Sequence, residues 1–348
     1  MLTGIHSDSP ELQQYYHRMD TWFNADVLFN DNRTLVRLNA IFHCFSLGYY
    51  YVHVVFINCI SFTGLIALFR VFQSFQKNKS KEIFTVMMLL PSMLFWGSGL
   101  LKDGLLLFAF GMLLYSLNKM MSSDYSKRNV AAFIFCLLLL MITKLYVLII
   151  IFPGVIAWYW ARKDRPGKII LKFAVSYVLC FVLAFNLGRV INKYDVTDLI
   201  YFKQKNFYVI AETSKAKSVI NISPVDRNAW SILYHIPEAV LRVLVRPTLN
   251  ETSSLLISMA AIENAIILLI MLICILSFRR SDIFGKPIFY FSILFVVLMF
   301  SLIGLITPIL GAMVRYKVPA LPFLVFVFVS MYDREKLVKR FSFLKVRK

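Results

Sequence analysis

The chain has 348 residues, of which 59% are hydrophobic and only 16% charged, with a mean hydropathy of +0.69. An ordinary soluble domain carries about 25% charged residues and is excluded. Continuous rather than alternating apolar runs exclude a β-barrel. The fold class is all-α: a polytopic integral membrane protein with paired short helical hairpins.

The first 46 residues are polar and hold Asp8, Glu11, Asp20, Asp26 and Asp31 beside Tyr15, Tyr16 and Trp22. A carboxylate facing a sugar hydroxyl can act as a general base. Asp8, within Ser7-Asp8-Ser9, is the first choice for that role and Asp20 the second. An ordinary solvated loop is the bland alternative. No signal peptide precedes the segment, so a missing upstream helix or a misassigned start is expected.

Nine membrane segments follow, at roughly 47–72, 83–101, 104–118, 130–143, 145–161, 170–191, 253–278, 287–307 and 318–332. Basic residues mark alternate loops: Lys77, Lys79 and Lys81; Lys119, Lys127 and Arg128; Arg162, Lys163, Arg165, Lys168 and Lys172; Arg279, Arg280 and Lys286. With the basic tail they hold more than half of the 38 Lys and Arg. The positive-inside rule puts that face, and the C-terminus, in the cytoplasm. The net charge of +19 therefore needs no nucleic acid. The expected organisation is an external segment 1–46, a bundle 47–191, an external loop 192–252, C-terminal spans 253–332 and a tail 333–348.

Lys102-Asp103-Gly104 separates two of these runs. The run after it, Gly104–Asn118, has no charge and covers roughly 22 Å as a helix, against a hydrocarbon core of roughly 30 Å. The apex is drawn towards the bilayer, where a Lys and an Asp are costly and mark a functional site by default. A snorkelling pair in a tight turn is the alternative. Lys144 repeats the pattern between Val130–Thr143 and Leu145–Ala161.

In the loop 192–252, Pro237 suits the first turn of a helix running to about Arg246, with Glu238 at its positive end. Trp230, Leu241 and Val245 can lay that segment on the membrane surface. Arg242 and Arg246 make a cationic stripe for a lipid phosphate or for headgroups. Glu263 lies inside the segment 253–278; a bond to a facing helix is preferred there over a proton relay. Arg315-Tyr316-Lys317 joins the last two spans on the translocated side, against the charge bias, and asks for an anion. Arg matches phosphate by its planar fork, and Lys as a point charge.

The five cysteines, Cys44, Cys59, Cys136, Cys180 and Cys274, sit in apolar surroundings without metal-ligand spacing. The five histidines form no ligand cluster, and no Walker A, GxGxxG or nucleophile elbow is present. No metal site is expected.

Short paired spans, an acidic first external segment and Arg315-Tyr316-Lys317-Val318-Pro319-Ala320-Leu321-Pro322 before the last span resemble the GT-C membrane glycosyltransferases. Pro91-Ser92, Phe95-Trp96-Gly97-Ser98-Gly99 and Lys102-Asp103-Gly104 are similar to bacterial surface-polysaccharide enzymes, including O-antigen and exopolysaccharide polymerases. The resemblance covers most of the chain by topology and about three short motifs by sequence. It implies a polyprenyl-phosphate or polyprenyl-diphosphate sugar donor and an external active site in the bacterial inner membrane. The GT-C pattern implies an Asp base in the first external loop, a position that Asp8 or Asp20 matches, although the span that normally precedes this loop is lacking. The polymerase pattern relies on external basic residues, which Lys102, Lys144 and Arg315 supply.

The expected function is therefore a membrane glycosyltransferase or polymerase of surface polysaccharide synthesis. Lys102, Asp103, Lys144, Arg242, Arg246, Arg315, Tyr316 and Lys317 form the expected donor-binding set, and Asp8 or Asp20 the base. Its partners are a polyprenyl-linked saccharide and membrane lipids. No cofactor is called for, while Mg²⁺ or Mn²⁺ carried on the phosphate is compatible with the chemistry. Arg315→Ala is expected to lose more activity than Arg315→Lys, with folding intact. The rivals are a transporter or flippase of a lipid-linked saccharide and a non-catalytic membrane scaffold.

Overall fold

The computed structural model describes residues 31–190, 195–251, 254–279 and 282–340. The described residues are overwhelmingly helical. An entry hairpin pairs α1 (Asp31–Ser46) with α2 (Tyr50–Phe75). Two short helices, α3 (Ser80–Met88) and α4 (Pro91–Ser98), return the chain to α5 (Lys102–Met121). Next come α6 (Lys127–Thr143), α7 (Leu145–Ala161) and α8 (Pro166–Val190). Then α9 (Val196–Thr213) and α10 (Ala229–Val245) precede α11 (Leu255–Leu276), α12 (Pro287–Ile306), α13 (Leu310–Lys317), α14 (Leu321–Met331) and α15 (Arg334–Arg340).

Among the described residues, six stretches are long and apolar enough to cross a membrane: α2, α5, the first part of α8, α11, α12, and residues 310–331 taken together. The nine expected segments are not all of this kind. The stretch 83–101 is broken into α3 and α4, because Pro91 starts α4 and forces Leu90 into extended backbone (φ −66°, ψ 113°). Helices α6 and α7 have 17 residues each.

Three further expectations change. Lys102 and Asp103 are not a turn beyond a helix but its first residues, since α5 begins at Lys102. Arg315-Tyr316-Lys317 is not in an open loop; it is the end of α13, which continues through the 3₁₀ turn Val318–Ala320 into α14. The loop 192–252 holds two helices, and Pro237 lies inside α10 rather than in its first turn. The Asn228 side chain accepts from Trp230 N at 3.1 Å and so starts that helix eight residues earlier than the proline does.

Two backbone contacts set the bundle. Helices α2 and α5 touch at Gly64 and Gly111, where a Cβ on either would overlap the other helix's backbone. Helices α10 and α12 touch at Gly304, against the Ala239 backbone. An aromatic core fills the centre: Phe72 stacks on Phe326 at 4.4 Å, and Phe110, Phe291 and Phe295 surround Phe323.

One end of the bundle gathers the basic loops. Lys79 Nζ donates to the carbonyls of Val329 (3.1 Å), Ser330 (2.9 Å) and Tyr332 (2.5 Å), satisfying the C-terminal end of α14. Arg279 pairs with Asp333 at 3.2 Å beside it. The opposite end holds the charged helix starts.

Candidate functional site at the end opposite the basic loops

Asp103 is in the first turn of α5, where the helix dipole favours an acid. Its carboxylate is 5% exposed and takes two bonds from Arg315 of α13, Nε at 2.7 Å and a terminal nitrogen at 2.6 Å, both on Oδ2. The guanidinium also lies 5.3 Å from the Trp96 ring centre, a cation–π contact from α4. Trp96 comes one residue before the Gly97 whose carbonyl backs onto Gly104 of α5. The short α4 therefore delivers a ring to the charge that α13 carries.

Lys144 closes α6 and precedes α7. Its ammonium lies 5.1 Å from the Tyr316 ring centre and 5.7 Å from that of Tyr146. Tyr146 is within electrostatic reach of Tyr316, Asp103 and Arg315. Phe207 of α9 meets Tyr316 edge-on at 6.1 Å. The structure thus brings Asp103, Lys144, Arg315 and Tyr316 into one cluster with three aromatic neighbours from three other helices. Lys102 is half-buried at the head of α5, at the end of the dipole that disfavours a cation.

The strand-like contact of residues 218–220 with 308–310 places the start of α13. Leu310 N donates to Ser218 O at 3.0 Å and Ile220 N to Pro308 O at 2.8 Å. Gln204 of α9 holds the residues that follow 218–220, donating to Ser223 O (3.0 Å) and accepting from Val225 N (3.1 Å), and donates to Leu305 O of α12 (2.7 Å).

Other expected residues are placed apart. Lys317 points inward, 3% exposed, and donates to Asn264 Oδ1 (2.7 Å) and Arg246 O (3.2 Å). Arg246 contributes that carbonyl, while its guanidinium pairs with Glu251 at 3.2 Å. Arg242 bonds Gly304 O at 3.0 Å and pairs with Glu238, which ties α10 to α12. Glu238 is held below the usual carboxylate range, first by the Ser223 hydroxyl bond and then by Arg242. Glu263 accepts from Ser92 N at 3.0 Å and from the Ser92 hydroxyl, so it is bonded to a facing helix. Its Oε1 makes no hydrogen bond among the described residues. Asp8 and Asp20 lie outside the described residues.

The sequence pattern did not single out Tyr146, Phe207 or Asn264, and it marked Ser92 only within the Pro91-Ser92 motif, not as the partner of Glu263. Asn264 carried a signal, a second polar residue beside Glu263 inside an apolar span; Phe207 carried none. Nor did the pattern single out a hydrogen-bonded chain in the entry hairpin. Ser46 Oγ meets His53 Nε2 at 2.5 Å, and His53 Nδ1 meets Asn39 Oδ1 at 3.0 Å. That order is the nucleophile–base–orienter order. Ser46 and His53 are both buried, 3% and 9% exposed, so the chain acts as a latch between α1 and α2.

Among the described residues no group of three His, Cys, Asp or Glu can hold a metal ion. Comparison with known proteins returns nothing: no family model, curated protein or solved structure matches this chain.

Proposed function

We propose that this chain is a membrane glycosyltransferase or polymerase that uses a polyprenyl-phosphate- or polyprenyl-diphosphate-linked sugar. The carrying observation is the convergence of Arg315 and Lys144, from separate helices, with Trp96, Tyr146 and Tyr316 on one end of the bundle. Preorganised cations stabilise the charge that develops on a leaving phosphate, and aromatic faces accept sugar rings. In the reaction, the acceptor hydroxyl oxygen bonds to the anomeric carbon as the carbon–oxygen bond to phosphate breaks. The phosphate leaves with the electron pair, beside Arg315 and Lys144. The hydroxyl proton goes to a carboxylate, Asp8 or Asp20 in this reading.

The accompanying topology has nine crossings in a bacterial inner membrane, the cluster outside and the C-terminus in the cytoplasm. Helices α3–α4, α6 and α7 are its short crossings. Their apices, Lys102-Asp103 and Lys144, lie at the cluster, as short crossings require.

The test is purified protein in proteoliposomes with a polyprenyl-diphosphate oligosaccharide. Chain lengthening or sugar transfer, lost in Arg315→Ala, is the expected result. Movement of the intact lipid-linked saccharide between leaflets without lengthening supports a flippase instead. The break between α3 and α4 favours that second reading, because discontinuous helices build transporter sites.

A further inference from the structure

The basic end of the bundle holds an open groove of about 850 Å³. Its wall is aliphatic: Leu117 and Met120 from the end of α5, Val155 and Ile156 from α7. Its rim is charged: Arg162 and Lys163 from the turn after α7, with Lys172 and Asp164. Lys172 and Asp164 are committed to each other, and Lys172 also donates to Trp160 O at 2.9 Å. The Arg162 guanidinium lies over the Tyr159 ring, 4.6 Å from its centre, a cation–π contact at the rim.

An exposed apolar stripe runs into this groove. Ile149, Phe152, Ile156, Tyr159 and Trp160 of α7 are all outward-facing. Their spacing, three and four residues apart, puts them on one helix face. The stripe ends in Tyr159 and Trp160, the residue types that sit at a membrane–water boundary. Cations, a boundary aromatic pair and an aliphatic track thus follow one another along one line.

We propose that this groove binds one anionic phospholipid of the leaflet at the basic end. Its phosphate meets Arg162 and Lys163, and its acyl chain lies along Ile156, Phe152 and Ile149. A soluble phosphate uses only the rim and gains nothing from the aliphatic wall. A zwitterionic lipid brings a cation of its own to a rim whose net charge is positive. An anionic headgroup with an acyl chain is the one class that satisfies both parts. The site lies at the opposite end from the Asp103–Arg315 cluster and does not depend on the function proposed for that cluster.

The experiment is native mass spectrometry of the full chain released from detergent, titrated with phosphatidylglycerol, phosphatidylcholine of the same acyl chains, and glycerol phosphate. Phosphatidylglycerol is expected to bind at one site, well above phosphatidylcholine, with glycerol phosphate failing to compete. Arg162→Gln with Lys163→Gln should weaken phosphatidylglycerol roughly thirtyfold, from about 1 kcal/mol for each charge removed. Met120→Trp fills the wall, keeps every charge, and should weaken it as well; it serves on its own if the charge variant does not fold. An equal loss in Lys77→Gln with Lys81→Gln means a diffuse surface field and overturns the site. Unchanged binding in both groove variants, or full competition by glycerol phosphate, also overturns it.

Discussion

At the scale of single residues, the Asp103–Arg315 pair changes what a substitution at Arg315 means. Asp103 is nearly buried and depends on the guanidinium. Removing one partner of a buried pair costs about 3–5 kcal/mol, because the other charge is left uncompensated. Arg315 is 30% exposed, so solvent screening brings the cost to the low end of that range. The expectation that Arg315→Ala leaves folding intact is therefore replaced. Arg315→Ala should lower the thermal midpoint in detergent, and Asp103→Asn in the same chain should recover most of the loss, since a neutral amide needs no counter-ion. Turnover should stay lost in the double variant. If turnover returns together with stability, Arg315 serves only to neutralise Asp103. Arg315→Lys should keep charge but lose the paired geometry, and at matched protein level its donor affinity should fall between wild type and Ala. Asp103→Asn alone releases Arg315 from its internal carboxylate, so donor-lipid affinity should rise; an affinity that falls instead gives Asp103 a role in holding the donor.

At the scale of elements, glycine contacts and caps decide which helices meet. Gly64 and Gly111 allow α2 and α5 to touch backbone to backbone. Small residues at such crossings replace hydrophobic driving force with close packing. Gly111→Leu should abolish detergent-stable protein, while Gly311→Leu, at a position where an added Cβ meets nothing within 4 Å, should express normally. Equal yields of the two would show that the α2–α5 crossing is not needed. Helix α9 gives a pH prediction. The Asp195 side chain accepts from Thr197 N at 2.8 Å, from the Thr197 hydroxyl at 2.6 Å and from Asp198 N at 3.4 Å. The Thr197 hydroxyl bond, then the backbone bond, holds its carboxyl below the ordinary carboxylate value of 3.8. A depressed acid stabilises the fold fully above the unfolded value and loses that contribution as pH falls through the folded one. Amide exchange in the first turn of α9 should therefore speed up in acid below the ordinary carboxylate range. Asp195→Asn should keep a cap but remove this pH dependence, and Asp195→Ala should cost about 1 kcal/mol at neutral pH. Identical pH profiles for wild type and Asn would remove Asp195 as the cause.

At the scale of the whole molecule, the two ends differ in chemistry. The basic end is closed by Lys79 on the α14 carbonyls and by Arg279 on Asp333. The other end carries acids and cations in contact with aromatics. In the proposed topology the basic end faces the anionic cytoplasmic leaflet, as the positive-inside bias of loops requires. A reporter fused after Lys348 should be active only if it functions in the cytoplasm. A single cysteine at Ser123, in the turn between α5 and α6, should be shielded from an impermeant thiol reagent in whole cells. Activity of an external reporter, or labelling at position 123 without permeabilisation, would reverse the orientation.

The sequence alone determined the class: 59% hydrophobic residues, continuous apolar runs and clustered Lys and Arg leave a helical membrane protein. It also marked Lys102, Asp103 and Lys144, because charge between short apolar runs is costly whatever the packing, and Arg315-Tyr316, because positive charge there runs against the charge bias. Tertiary structure decided the rest. Whether Asp103 faces lipid, water or Arg315 depends on residues 212 positions apart in the chain, and local pattern does not encode so distant a partner. Lys317 and Arg315 looked alike as neighbours in one motif. Two residues along a helix turn a side chain by about 200°, so one cation reaches Asp103 while the other is buried against Asn264. The length of α10 was decided by a cap at Asn228, and the placement of the start of α13 by the clamp of residues 218–220 on 308–310. Pro237 suggested a later helix start and the charges of 315–317 suggested a loop, and the fold departs from both.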